Sequence, residues 1–189
     1  MTAVTPLTHK CITQADPSLN LGSAVNILAL VPPATLRQAV IRPALSYLGI
    51  SSRSAENLLL GTLMVMAWLP PGKQPHGGIG PYSISRGLHT RIWDDYLAKD
   101  PEVASLIRGL ASQRCFLQNP HGELGYNLAY ATAIAWLVYQ QQPLDLSDNM
   151  DINELAQLWH LIYPHHDASA IDFIECWNRA AHDEPMISV

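Results

Sequence analysis

The sequence predicts a mainly α-helical single domain behind an N-terminal arm, and three observations carry that prediction. Apolar residues recur at helical spacing in successive stretches after residue 33. No strand–helix–strand alternation and no internal repeat interrupts them. A chain of 189 residues, 48% hydrophobic and 14% charged, suits one compact core of ordinary size.

Residues 1–33 hold Pro6, Pro17, Gly22, Pro32 and Pro33 and little helical periodicity, so they read as an arm, and residues 34–189 as the domain. Thr35 can cap a first helix to about Leu48, with Leu36, Val40, Ala44 and Leu48 on one face, a kink at Pro43 and Gly49 as its stop. Ser52 or Ser54 opens a second helix to Trp68. Its runs Leu58-Leu59-Leu60 and Leu63-Met64-Val65-Met66 are apolar on nearly every face, which places it at the centre. Pro70-Pro71-Gly72 ends it, and the glycines and prolines of Lys73–Ser85 predict a loop or short irregular hairpin that walls a cleft. Further helices are expected at Arg86–Ala98, Pro101–Gln113, Glu123–Gln141, Asp151–Tyr163 and Ser169–Ala181.

Charge and cysteine content narrow the classes. A net charge of −5 argues against a broadly basic nucleic-acid surface. Nine carboxylates between Gln142 and Val189 face Arg179 alone, a net of −8, which leaves +3 on residues 1–141. Such an acidic end serves solubility, or steers the protein toward a basic partner. Cys11, Cys115 and Cys176 are widely spaced and form no CxxC, so they read as buried thiols of a reducing compartment. The apolar stretch Ala24–Val31 lies behind polar residues and lacks the order of a secretory signal. The longest apolar stretch, Leu128–Tyr139, is shorter than the roughly 20 residues needed to span a bilayer. A cytoplasmic location is the expectation.

Motifs exclude more than they identify. HExxH, GxGxxG, GxxxxGK[ST] and GxSxG are all absent from the sequence, which removes the usual marks of metalloproteases, dinucleotide sites, phosphate loops and α/β-hydrolases. His160, His165, His166 and Asp167 invite a zinc reading, yet their spacing fits no defined site, so no metal and no cofactor is expected.

Three segments together resemble a known family: Glu56-Asn57-Leu58-Leu59-Leu60-Gly61-Thr62, Gly77-Gly78-Ile79-Gly80-Pro81-Tyr82-Ser83-Ile84 and His89-Thr90-Arg91-Ile92-Trp93-Asp94-Asp95-Tyr96-Leu97. They are similar to phage-encoded lysozyme-like proteins of the soluble lytic transglycosylase and goose-type lysozyme group. The likeness covers roughly residues 34–180 and extends through Leu124–Ala135, Leu158-Trp159 and Phe173–Trp177. It implies a helical lysozyme-like fold in which the central helix ends in a catalytic Glu-Ser pair and the glycine loop lines a sugar groove. Met66 and Ala67 stand where that pair belongs, and neither can transfer a proton to a leaving oxygen. Gly78, Gly80, Tyr82, Ile84 and Tyr130 then mark a degenerate groove. Glu56 is about 15 Å back along the helix, too far to substitute. Asp94 and Asp95 read as a solvated pair.

The resemblance with its acid removed implies a pseudoenzyme that binds a host protein, with an inhibitor of host defence of the anti-CRISPR type as a concrete form. No direct contact with nucleic acid or membrane is expected. Candidate contact residues are the aromatics Trp68, Tyr82 and Trp93 and the acids Asp167, Asp172 and Glu175, beside the arm and the Lys73–Ser85 loop. The alternatives are an active peptidoglycan muramidase or lytic transglycosylase using another acid, and a phage structural component.

Overall fold

The computed structural model describes residues 31–144 and 146–182. Nearly all of the expected arm, with Cys11, lies outside the described residues, as do Asp145, Asp183 and Glu184. The fold is mainly α-helical, with one two-stranded antiparallel sheet among the described residues.

The first helix, α1, spans residues 33–47 and starts at Pro33, where a missing N–H costs nothing. Pro43 shapes its middle. Without an N–H it cannot continue the α-helical ladder, and the turn before it widens into a π-helical segment at Arg37–Ile41, with Arg42 N–H bonded to the Arg37 carbonyl. The expected kink is thus a widened turn. It changes the buried face to Leu36, Ile41, Ala44 and Leu45, while Val40 and Leu48 are only half-buried. Gly49, at φ +76°, ends the helix as expected.

Helix α2, Arg53–Trp68, is capped by the Ser52 hydroxyl, which accepts from the Ala55 N–H at 3.3 Å. All residues from Leu58 to Ala67 are buried, so it has no solvent face and every neighbour packs onto it. Next come a 3₁₀ turn at Pro71–Lys73 and a hairpin of β1, Gly78–Ile79, and β2, Ile84–Ser85, with Gly78 opposite Ser85. Gly80 needs its φ of +71°, and a Cβ there would strike the Leu124 carbonyl.

Helix α3, residues 86–99, is capped by Ser85 and includes a π-helical stretch at Ile92–Tyr96. Asp100 caps α4, Pro101–Leu110. The short helices α5, Cys115–Gln118, and α6, Glu123–Tyr126, precede α7, Leu128–Gln140. The expected single helix over Glu123–Gln141 is therefore corrected to two. Asn127 divides them, because its side chain accepts from the Tyr130 N–H as the cap of α7 and donates to the Leu110 carbonyl. A capping box of Asp151 and Glu154 opens α8, Ile152–Ile162, and α9 runs over Ala170–His182.

Helix α9 makes the most extensive contact with α2. At Gly61 the two approach so closely that a Cβ would overlap the ring of Phe173, itself fully buried. Cys115 is disulfide-bonded, which corrects the expectation of a thiol at that position. Cys176 is a free, buried thiol, its pKa pushed up to about 11 by burial.

Gly61→Ala is expected to destabilise the protein by about 1–3 kcal/mol, because overpacking against Phe173 outweighs the gain in helix propensity. Gly87→Ala, where a Cβ meets nothing closer than Arg91 Nη1 at 3.8 Å, is expected to be neutral or stabilising. Urea denaturation of both variants checks the contrast, and equal stability would refute the close contact.

Candidate functional site

Met66, the residue that the sequence resemblance aligns with a general acid, lies inside the core. Met66 is 0% exposed and Ala67 is buried beside it. The Met66 carbonyl accepts from Gln74 Nε2 at 3.0 Å, and the same amide donates to the Leu69 carbonyl, which ties the following loop across the end of α2. Of the residues expected to mark a groove, Tyr82, Ile84 and Tyr130 are buried as well, and Gly78 and Gly80 are half-buried in the hairpin.

Hydroxyl groups form a buried network in the core. Thr62 donates its hydroxyl proton to the Leu58 carbonyl, so the Tyr139 hydroxyl, 2.6 Å away, donates to Thr62. Thr132 likewise donates to Leu128, and Tyr82 donates to Thr132 at 3.2 Å. Tyr163 donates to the Tyr82 carbonyl at 2.7 Å. Burial pushes the pKa of all three tyrosines well up, so these phenols stay neutral donors.

A second buried cluster joins α3 to α7. His89 and Trp93, one turn apart on α3, both reach the Tyr130 hydroxyl, at 2.7 and 2.9 Å. His89 Nδ1 is 2.9 Å from His121 Nδ1. Trp93 can only donate, so Tyr130 accepts from it, and the His89 tautomer sets the direction of the other two bonds: with Nδ1–H, His89 accepts from Tyr130 and donates to His121, and with Nε2–H both are reversed. Burial lowers the His89 pKa to about 4, with His121 adding to the effect, and burial lowers that of His121 too. Nearby, the fully buried Glu123 accepts from Tyr126 at 3.0 Å and from Asn127 at 2.8 Å. This cluster was not singled out by sequence reasoning, although the four-residue spacing of His89 and Trp93 puts both on one helical face.

The candidate contact residues divide. Tyr82, expected as a surface anchor, is corrected to a core residue with 0% exposure. Trp68 and Trp93 are half-buried, Trp68 with the Arg179 guanidinium over its ring at 5.3 Å. Asp172 is partly buried, pairs with Lys73 Nζ at 2.8 Å and caps α9 through Ser169, so it holds structure. Asp167, at φ +51°, and Glu175 are exposed. His165 stacks on Trp159 and on His160, and His166 lies 3.3 Å from Asp167. Among the described residues no group of three His, Cys, Asp or Glu side chains gathers into a metal site.

A separate cavity of about 360 Å³ opens between α1, α2 and α9, lined by residues that include Arg37, Arg42, Arg53, Leu60, Met64 and Trp177. No protein-family model, curated protein or solved structure matches the chain.

His89 is neutral in the fold with a pKa of about 4 and titrates near 6.5 when unfolded. The unfolded chain therefore binds more protons across that interval, so stability falls as pH drops from about 6.5 to about 4, by on the order of 3 kcal/mol. Urea denaturation along this pH series, with His89→Gln as the flatter comparison, tests the assignment. Parallel profiles for the two proteins would overturn it.

Proposed function

We propose that this protein is a non-catalytic, lysozyme-like phage protein that acts by binding a host protein. The observation that carries the reading is the fully buried Met66 at the position where the resembled family places its general acid. Glycoside cleavage needs a carboxyl group that reaches the leaving oxygen. Glu123 has no exposed surface and spends its oxygens on Tyr126 and Asn127, while Glu56 is committed to Arg42 through two bonds at 2.8 and 2.9 Å. Exposed Asp167 and Glu175 support an acidic contact surface for a basic partner. Inhibition of a host defence protein, as anti-CRISPR proteins do, is the concrete form of this proposal.

No helix among the described residues is long and apolar enough to cross a membrane. Action in the host cytoplasm is part of the proposal and requires that the disulfide at Cys115 be dispensable, since that compartment keeps thiols reduced. Dithiothreitol is accordingly expected to leave the helical circular-dichroism signal intact at 37 °C; its collapse would place the protein in an oxidising compartment instead.

Turbidity of purified peptidoglycan is expected to stay constant with the wild-type protein, and clear lysis would overturn the non-catalytic reading. Met66→Glu is expected to lose more than about 2 kcal/mol of stability at pH 7, because it buries a carboxylate without partners. That penalty, measured against wild type at each pH, shrinks as pH falls toward the carboxyl's unfolded range.

A further inference from the structure

The cavity between α1, α2 and α9 is built differently from the rest of the surface. Three guanidiniums line it, Arg37 and Arg42 from α1 and Arg53 from the first turn of α2, and no acidic side chain lines it among the described residues. The neighbouring carboxylate, Glu56, sits behind them, bonded twice to Arg42 and 3.6 Å from Arg37. Three positive charges against one negative leave a surplus of two. Arg37 is largely buried and also donates to Asn57, so its position is fixed. Its pKa is held below the usual arginine value by burial first and by the charge of Arg53 next, against the opposing pull of Glu56.

Arg53 adds a second indication. A positive side chain in the first turn of a 16-residue helix opposes the helix dipole, whose positive end points the same way. Stability alone disfavours arginine there, whereas an anion in the cavity would be attracted by both. The opposite wall is apolar: Leu60, Met64, Ala180 and the half-buried Trp177 complete the lining. At about 360 Å³ the volume lies in the range of small-molecule sites, and a cleft with an apolar wall and few convergent charges is their usual form.

We propose that this cavity is a binding site for a small phosphate monoester carrying an apolar or aromatic body. A monoester phosphate holds about −1.5 to −2 charges at neutral pH and so matches the surplus of two, which a single carboxylate does not. Guanidinium groups engage its oxygens in pairs, and the body of the ligand lies on Trp177, Leu60 and Met64. The site is independent of the reading of Met66.

Phenyl phosphate is the probe, titrated calorimetrically into the full-length protein beside inorganic phosphate and phenol. Phenyl phosphate is expected to bind with 1:1 stoichiometry and at least about tenfold more tightly than either part alone, and Arg53→Gln is expected to weaken it by about tenfold or more. Arg53 makes no hydrogen bond to the core, so the melting temperature of that variant should match wild type and keep the comparison fair. Trp177→Leu is expected to weaken phenyl phosphate while leaving inorganic phosphate unchanged. No binding in the millimolar range, equal affinity for phenyl phosphate and inorganic phosphate, or indifference to Arg53→Gln would each overturn the proposal.

Discussion

Everything in this fold depends on the burial of α2. A helix without a polar face satisfies its backbone internally but has nowhere to put its side chains except against protein. The remaining elements are therefore arranged around it: α9 on the Gly61 face, α8 beside α9, and α1 and α7 on other sides. The few polar groups it carries inward each meet a partner. Thr62 bonds back to Leu58 and accepts from Tyr139, and Glu56 is held by Arg42. Burial at this density leaves little tolerance for added volume, which is why glycine stands opposite Phe173.

The same constraint governs the chemistry. A general acid must be buried enough to keep its proton near neutral pH, yet open enough to touch a substrate. Met66, where the proposed reading places that group, is fully buried, and a thioether has no proton to give. Elsewhere in the core the buried phenols of Tyr82, Tyr139 and Tyr163 stay neutral and are engaged with threonine hydroxyls and a backbone carbonyl. Such an arrangement stiffens a core.

Much of the fold was legible because local chemistry and burial agreed. Ser52, Ser85, Asp100 and Asp151 cap helices near the expected starts, and Gly49 stops α1. Where reading failed, a local cue carried two meanings. Asn127 looked tolerable within a long apolar pattern, but its side chain competes with the backbone and starts a new helix. Pro43 announced a distortion without saying that it would be a widened turn that carries Ile41 into the core. The candidate site was less legible. Tyr82 sits in a glycine-rich loop, where an exposed aromatic is a fair expectation, and its burial follows from Thr132 and Tyr163, which are distant in sequence. The arginine cavity left no pattern, because Arg37, Arg42 and Arg53 belong to two helices and Trp177 to a third.

Geometry along α2 separates the two sites. Arg53 and Met66 lie at opposite ends of the helix, about 20 Å apart at 1.5 Å per residue. At the Met66 end the helix is buried, and the Gln74 amide ties the following loop to the Met66 and Leu69 carbonyls. At the Arg53 end the helix dipole, three guanidiniums and an apolar wall converge on open volume. The charges at the cationic end repel one another. Glu56 offsets part of the repulsion among them, and the proposed anion would offset the rest together with the opposition of Arg53 to the dipole.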